Sequence, residues 1–135
     1  MDNRPRRRDE RGLSVSALGS VLVMALFLVA GLVIDGGARA RAHRRAEVAA
    51  AVAVRQGSDA SAADRLVGRD GTGAALGAAR QALADEGVEG EASLSAGVIT
   101  VTTRAESETT FLSLLGIDRL EATGSASGEL RRPRP

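Results

Sequence analysis

The chain has 135 residues, a formal net charge of +1 and no cysteine. A near-neutral chain has no overall electrostatic attraction to nucleic acid, and the lack of cysteine excludes disulfides and thiolate metal sites. The length suits one small domain plus one membrane segment. Because two phenylalanines are the only aromatic residues, any core must be built from Leu, Val, Ile and Ala.

An uncharged stretch of 22 residues runs from Leu13 to Ile34. As a helix it would be about 33 Å long, enough to cross a bilayer core of about 30 Å. A spanning segment must be helical because lipid offers its backbone no hydrogen-bond partner. We predict a transmembrane helix over 13–34 and a basic cytoplasmic leader over 1–12. The residues predicted to anchor the chain are Leu13, Val21, Leu26, Phe27 and Ile34.

Two other interpretations of this stretch stay open. A secretory signal cut after "ARARA" (38–42) would free a small secreted domain, although the apolar region of a signal is typically about 7–15 residues long. A buried helix of a soluble protein is the other. Arginines before the stretch favour a cytoplasmic N-terminus, and those at 39–45 oppose it. We predict N-terminus in and C-terminus out, because a whole domain can be translocated despite its charge.

The helical pattern resumes after Gly37 and predicts a stem helix over 35–57, ending at Gly57. A line of small residues along it would let another element approach closely: Ala38, Ala42, Ala46, Ala49 and Ala53. The polar, glycine-rich residues 58–73 are predicted to form a loop. A second helix is predicted over 74–87, with Leu76, Ala79 and Leu83 on one face and Gly87 at its end.

The apolar period then changes to two. The segment "EASLSAGVITVTTR" predicts two strands joined by a tight turn at Ala96–Gly97, and "TTFLSLLG" predicts a helical turn ending at Gly116. Strict alternation over 120–130 predicts a strand whose small inner residues are covered by a helix. The tail 131–135 is predicted to be disordered.

The predicted fold class is therefore α+β. A long N-terminal transmembrane helix continues into a soluble helix, followed by a second helix and a small antiparallel sheet, a pilin-like plan. Residues 74–130 are predicted to form a small extracytoplasmic domain.

The sequence contains no recognisable catalytic set. His43 is the only histidine and lies among arginines on a predicted exposed helix. The "GSASG" at 124–128 has alanine where a nucleophile elbow needs serine, and "GTGAALG" at 71–77, predicted as a flexible loop, lacks a phosphate-binding spacing. Asp59, Asp64 and Asp70 lack the ligand density of a calcium loop. We predict a non-enzymatic protein with no cofactor, no metal site, no nucleic-acid partner and no small-molecule substrate.

Two stretches resemble the TadE/TadG-like family of tight-adherence (Flp) pilus assembly proteins, a pseudopilin family. The first is "DERGLSVSALGSVLVMALFLVAGLVIDGGARARAHRRAEVAAAVA" (9–53), a charged leader, an apolar helix and an alanine- and arginine-rich helix. The second is "VTTRAESETTFLSLLGIDRLEATGSASGEL" (101–130), which is similar to the end of actinobacterial members.

The resemblance implies processing by a prepilin peptidase between Gly12 and Leu13. Where pilins usually carry glutamate in the mature chain, this chain has Ala17. The resemblance further implies a single-pass membrane protein of the cell membrane, a minor pseudopilin-like part of a Tad/Flp pilus or related secretion system. Its partners would be the lipid bilayer and other pilin-like or Tad-machinery membrane proteins. A membrane-tethered binding module unrelated to pili is the alternative.

Overall fold

The structure is a computed structural model, which describes the backbone of residues 10–130 and the side chains of residues 14–130. The predicted α+β class is confirmed, because two helices precede a three-stranded antiparallel sheet. The first nine residues of the predicted leader, and the predicted disordered tail at 131–135, lie outside the described residues. The elements in chain order are α1 (Glu10–Leu66), α2 (Thr72–Asp85), β1 (Glu89–Ser95), β2 (Val98–Glu108), a 3-10 turn (Leu112–Leu115) and β3 (Arg119–Glu129).

Helix α1 is one continuous helix of 57 residues, about 85 Å long at 1.5 Å per residue. It joins the apolar stretch to the stem without interruption and ends in a glycine-terminated cap. Gly68 has a φ of +80°, and the Arg69 N–H donates to the Asp64 carbonyl at 3.0 Å, the pattern of a Schellman motif. The predicted helix end at Gly57 is therefore wrong, and so is the predicted loop over its first nine residues, 58–66.

Close packing explains why Gly57 does not end the helix. A methyl group at this position would lie 2.7 Å from the Ala75 carbonyl oxygen on α2 and 2.7 Å from Cδ1 of Ile99 on β2. The glycine is thus required where three elements meet, since a side chain here would push α2 off α1. Helix α2 starts at Thr72, two residues before the predicted start at 74. The "GTGAALG" segment at 71–77 is therefore mostly helical, and the prediction of a flexible loop for this motif is wrong.

Gly57→Ala is expected to lower the free energy of unfolding by about 1 kcal/mol. Alanine gains about 1 kcal/mol of helix propensity over glycine, but overpacking a close contact costs typically 1–3 kcal/mol. Gly77→Ala on α2, where nothing lies within 4 Å of the added methyl, is the matched control and should stabilise the protein by about 0.5–1 kcal/mol. Thermal unfolding in detergent, followed by circular dichroism, compares them; equal stabilisation would contradict the packing role.

The sheet has the order β1-β2-β3 with both pairs antiparallel. Ser95 pairs with Val98, and the two intervening residues, Ala96 and Gly97, have φ of +51° and +82°. Positive φ at both central residues is the type I′ turn, which matches the twist of a hairpin. The predicted tight turn is confirmed, as are the helical turn before Gly116 and the end of α2 at Gly87.

An alanine-rich face of α1 packs against the sheet and α2. On β3, a methyl group at Gly124 would lie 2.5 Å from the carbonyl carbon of Ala46, so the strand backbone lies directly against the helix backbone. This confirms the predicted close cover of the small inner residues of the last strand. The fully buried or nearly buried alanines of α1 are Ala42, Ala46, Ala49, Ala50 and Ala53.

Strand β2 runs the length of the stem in the opposite direction to α1. Its start lies at Gly57, where Ile99 packs. Midway, the buried Thr103 hydroxyl donates to the Ala46 carbonyl at 2.7 Å. Just beyond its end, the Thr110 N–H donates to Asp35. The connection between β2 and β3 is therefore held at the point where the apolar stretch ends.

Candidate membrane-proximal site

The apolar stretch of α1 is almost entirely uncovered. Every described side chain from 14 to 34 is exposed except at Gly31, and the large apolar ones are 48–71% accessible. This is one helix near the N-terminus that is long and apolar enough to cross a membrane. A core helix of a soluble protein would instead bury such a surface.

The predicted anchor residues lie along this stretch. Val21, Leu26 and Phe27 are 62–66% exposed, and Ile34 is 48% exposed. Gly12 and Leu13, the predicted cleavage pair, lie in the first helical turns of α1, and the side chain of Leu13 falls outside those described. Val21, Leu26 and Phe27 point to different sides of the helix, and Ile34 lies two turns beyond Phe27 on the same side, so the described anchor residues form an outer surface rather than an enclosed site.

Asp35 directly follows the apolar stretch and is buried, with 1% of its surface accessible. Its carboxylate accepts three backbone hydrogen bonds from the start of the 3-10 turn. Oδ1 accepts the Thr110 N–H at 2.8 Å, and Oδ2 accepts the N–H groups of Phe111 at 3.0 Å and Leu112 at 2.7 Å. The side chain therefore satisfies the free donors at the beginning of that turn, as an N-cap does, but from a residue more than 70 positions away in sequence.

These hydrogen bonds determine the charge state of the Asp35 carboxyl. The bond from Thr110 is the largest influence and lowers its pKa; burial raises it, and the bonds from Leu112 and Phe111 lower it further. The net effect is a pKa below its ordinary value, because donors directed at a carboxylate favour the charged form. Asp35 is thus a carboxylate at neutral pH, and both of its oxygens accept hydrogen bonds.

Phe111 brings the same connection onto the apolar stretch itself. A methyl group at Gly31 would lie 2.5–2.8 Å from Cγ, Cδ1 and Cβ of Phe111. The aromatic side chain therefore packs against the helix in the space that a side chain at residue 31 would fill. Gly31 precedes Ile34 by three residues, about 4.5 Å along the axis. The aromatic contact and the Asp35 hydrogen bonds together fix the β2–β3 connection at the end of the predicted span.

Two large apolar side chains of this connection are mostly exposed, and a third is about half exposed. Leu114 is 82% exposed, Leu115 76% and Ile117 45%. All three follow Phe111 within six residues, and none belongs to the alanine-rich core. We call Asp35, Gly31 and residues 109–118 the membrane-proximal site.

The other motifs lie elsewhere. His43 is exposed, with Nε2 at 3.3 Å from Glu47 one turn later, as predicted for a solvated helix residue. Ser125 and Ser127 of "GSASG" are in β3, on positions between its covered residues. Within residues 14–130, no three His, Cys, Asp or Glu side chains come close enough to hold a metal ion.

The role of Asp35 is the feature that sequence reasoning missed. In the sequence, Asp35 is simply the first charged residue after the apolar stretch. A signal was available, because an acid next to a membrane segment is costly to bury unless it has partners, but the sequence does not indicate which distant backbone supplies the donors.

Comparison of the chain with protein-family models, with curated proteins and with solved structures finds no match.

Proposed function

We propose that this is a non-enzymatic, single-pass membrane protein whose helix α1 anchors a small extracytoplasmic domain in the cell membrane. The observation that carries the proposal is the apolar stretch over 14–34, which is exposed except at Gly31. Such a surface needs lipid or other apolar helices around it, because otherwise all of its apolar side chains would be in contact with water. The N-terminus is cytoplasmic in this proposal.

Asp35 supports retention of the helix over its removal as a signal peptide. A cut after "ARARA" (38–42) would remove both Asp35 and Gly31. The backbone N–H groups of residues 110–112 would lose their acceptor, and Phe111 would lose the surface on which it packs. A cut between Gly12 and Leu13 would leave all of these contacts in place.

We further propose that the protein is a minor pseudopilin-like component of a Tad/Flp pilus or related secretion system. The resemblance of its two stretches to the TadE/TadG-like family motivates this. The plan of a long apolar helix carrying an α+β cap also supports it. In this role α1 packs laterally against apolar helices of other pilin-like or Tad-machinery proteins. Small residues on one side of the span, Ser16, Gly19 and Ser20, suit close lateral contact.

The absence of cysteine makes anchoring and orientation directly testable. Single-cysteine variants Asn3→Cys and Ser127→Cys are expressed in cells without a prepilin peptidase, so that the leader stays attached. Intact cells or spheroplasts are then treated with a membrane-impermeant maleimide. We expect the protein in the carbonate-washed membrane fraction, with labelling of Ser127→Cys in spheroplasts and of Asn3→Cys only after lysis. A full-length protein recovered from the soluble fraction would overturn the anchoring proposal, and reversed labelling would overturn the orientation.

Processing tests the pilin-like part of the proposal. The chain is co-expressed with a prepilin peptidase, and the membrane-extracted protein is analysed by mass spectrometry. We expect a mature chain that begins at Leu13, and no processing in a Gly12→Val variant. A chain that begins at Met1 would argue for the tethered module unrelated to pili, and a start near residues 41–43 would establish the secreted form.

A further inference from the structure

We propose that the β2–β3 connection, residues 109–118, is a second membrane contact that seats Leu114 and Leu115 in the headgroup interface of the bilayer that α1 crosses. This inference rests on the proposed anchoring of α1. It adds to a single spanning helix a separate element of the folded domain that touches the same lipid surface.

The height of the connection along α1 is the first argument. Its beginning is fixed at the end of the predicted span by the hydrogen bonds from residues 110–112 to Asp35 and by Phe111 on Gly31. Leu115 follows Phe111 by four residues, about 8 Å at the 2 Å rise of a 3-10 turn. Each headgroup region is about 5–8 Å thick. Because this thickness is similar to the reach of the turn, the two leucines lie within or close to the headgroup region.

The internal hydrogen bonding of the connection is the second argument. The Thr109 N–H donates to the Asp118 carbonyl at 3.0 Å, the Ile117 N–H to the Leu112 carbonyl at 3.0 Å, and the Ser113 hydroxyl to the Thr110 carbonyl at 2.7 Å. Backbone groups near lipid need such partners because hydrocarbon supplies none. The charge of this connection is confined to Asp118 at its last position, so residues 109–117 can enter the interface without burying a charge.

Continuity with the span identifies the occupant as lipid. The exposed leucines belong to a segment that packs on the last turns of the apolar stretch, where Ile34 is itself exposed. Arginines follow directly on α1 at 39, 41 and 44, a placement that suits anionic headgroups. A second copy of the chain or another protein would need a complementary apolar surface at this same level.

The protein has no tryptophan and no tyrosine, so one introduced tryptophan reports its own surroundings. The full-length Leu114→Trp variant is reconstituted in phosphatidylcholine–phosphatidylglycerol vesicles that contain lipids brominated near the headgroup or deep in the acyl chain. We expect emission shifted to shorter wavelength and loss of fluorescence with the shallow bromines, more than with the deep ones.

Two matched variants separate this inference from the anchoring proposal. Leu26→Trp, in the span, should be quenched by the deep bromines. Leu66→Trp, 88% exposed and about 46 Å along the helix from Asp35, should be unquenched with water-exposed emission. If Leu26→Trp is not quenched, the anchoring proposal fails and this inference with it.

If Leu26→Trp is quenched but Leu114→Trp resembles Leu66→Trp, only the second membrane contact is overturned. Short-wavelength emission of Leu114→Trp without quenching would show that protein, and not lipid, covers the leucines, and would also overturn it. Leu115→Trp, tested in the same vesicles, guards against a local effect of one substitution and should behave like Leu114→Trp.

Discussion

Replacing Asp35 with alanine is expected to release the β2–β3 connection from α1. The carboxylate is the acceptor for three consecutive backbone N–H groups, those of Thr110, Phe111 and Leu112. Alanine leaves all three without their acceptor in a partly buried place, and an unpaired buried donor costs more than a hydrogen bond gains. The effect should exceed that of losing any single hydrogen bond elsewhere in the domain.

Hydrogen–deuterium exchange of the detergent-solubilised chain measures this release. In Asp35→Ala, exchange should increase sharply over 109–118, with a smaller increase over the adjoining ends of β2 and β3. Asp35→Asn should be intermediate, because an amide offers one acceptor oxygen where the carboxylate offers two. Asp59→Ala, an exposed acid on the same helix, is the control and should leave the connection unchanged. Equal exchange in Asp35→Ala and Asp59→Ala would contradict the role of Asp35.

The same carboxylate makes the attachment sensitive to acid. Its pKa is lowered from an ordinary value of 3.8 in the folded chain, first by the bond from Thr110. A lowered pKa means that the stabilisation is fully present well above 3.8 and is lost as the pH falls below 3.8 through the folded value. The difference in unfolding temperature between the natural chain and Asp35→Asn should therefore be constant near neutral pH and shrink towards pH 2. A difference that grows on acidification would contradict this.

Gly124→Ala is expected to be the most destabilising single methyl addition in the sheet. The new methyl would lie 2.5 Å from both the Ala46 carbonyl carbon and the Glu47 nitrogen, and neither backbone atom can rotate away. Alanine gains about 0.5–1 kcal/mol over glycine in a strand, but separating β3 from α1 costs more. We expect a loss of about 2–3 kcal/mol, which lowers the unfolding temperature by roughly 10 °C in a domain of this size.

Two variants of the same strand control for the nature of the contact. Gly128→Ala faces the same side, but its methyl would meet Cγ1 of Val54 at 2.7 Å, a side-chain atom that can move. It should cost less than half as much as Gly124→Ala. Ser125→Ala on the exposed side should change stability by less than about 0.5 kcal/mol. If Gly124→Ala is no worse than Gly128→Ala in thermal unfolding, the backbone-to-backbone contact is not rigid.

Local patterns predicted most of the elements because each depends on neighbouring residues. The turn at Ala96–Gly97 follows from the change to a two-residue apolar period and from a glycine just before the β-branched run at 98–103, and the last strand follows from its strict alternation. The alanine face of α1 predicted close packing without naming the partner. In all three cases the residues that determine the element lie within one short stretch of sequence.

Gly57 and Asp35 show where local reasoning stops. A glycine after a helical pattern predicts a helix end, yet the same residue type is also what close packing between elements requires. The two roles can be distinguished only when Ala75 and Ile99 are known to lie against it. Likewise, the three donors to Asp35 come from residues 110–112, so no local pattern around residue 35 contains them.

Attachment of β2 to α1 at both of its ends couples the sheet mechanically to the helix. The strand is fixed to α1 near Gly57 at one end and, through the residues that follow it, at Asp35 at the other, a separation of about 33 Å along the helix. No flexible hinge intervenes between the described part of the anchor and its cap. A tilt of the anchor in the bilayer would therefore be transmitted in full to the sheet, and a load applied to the sheet would pass as shear into the helix rather than stretching a linker.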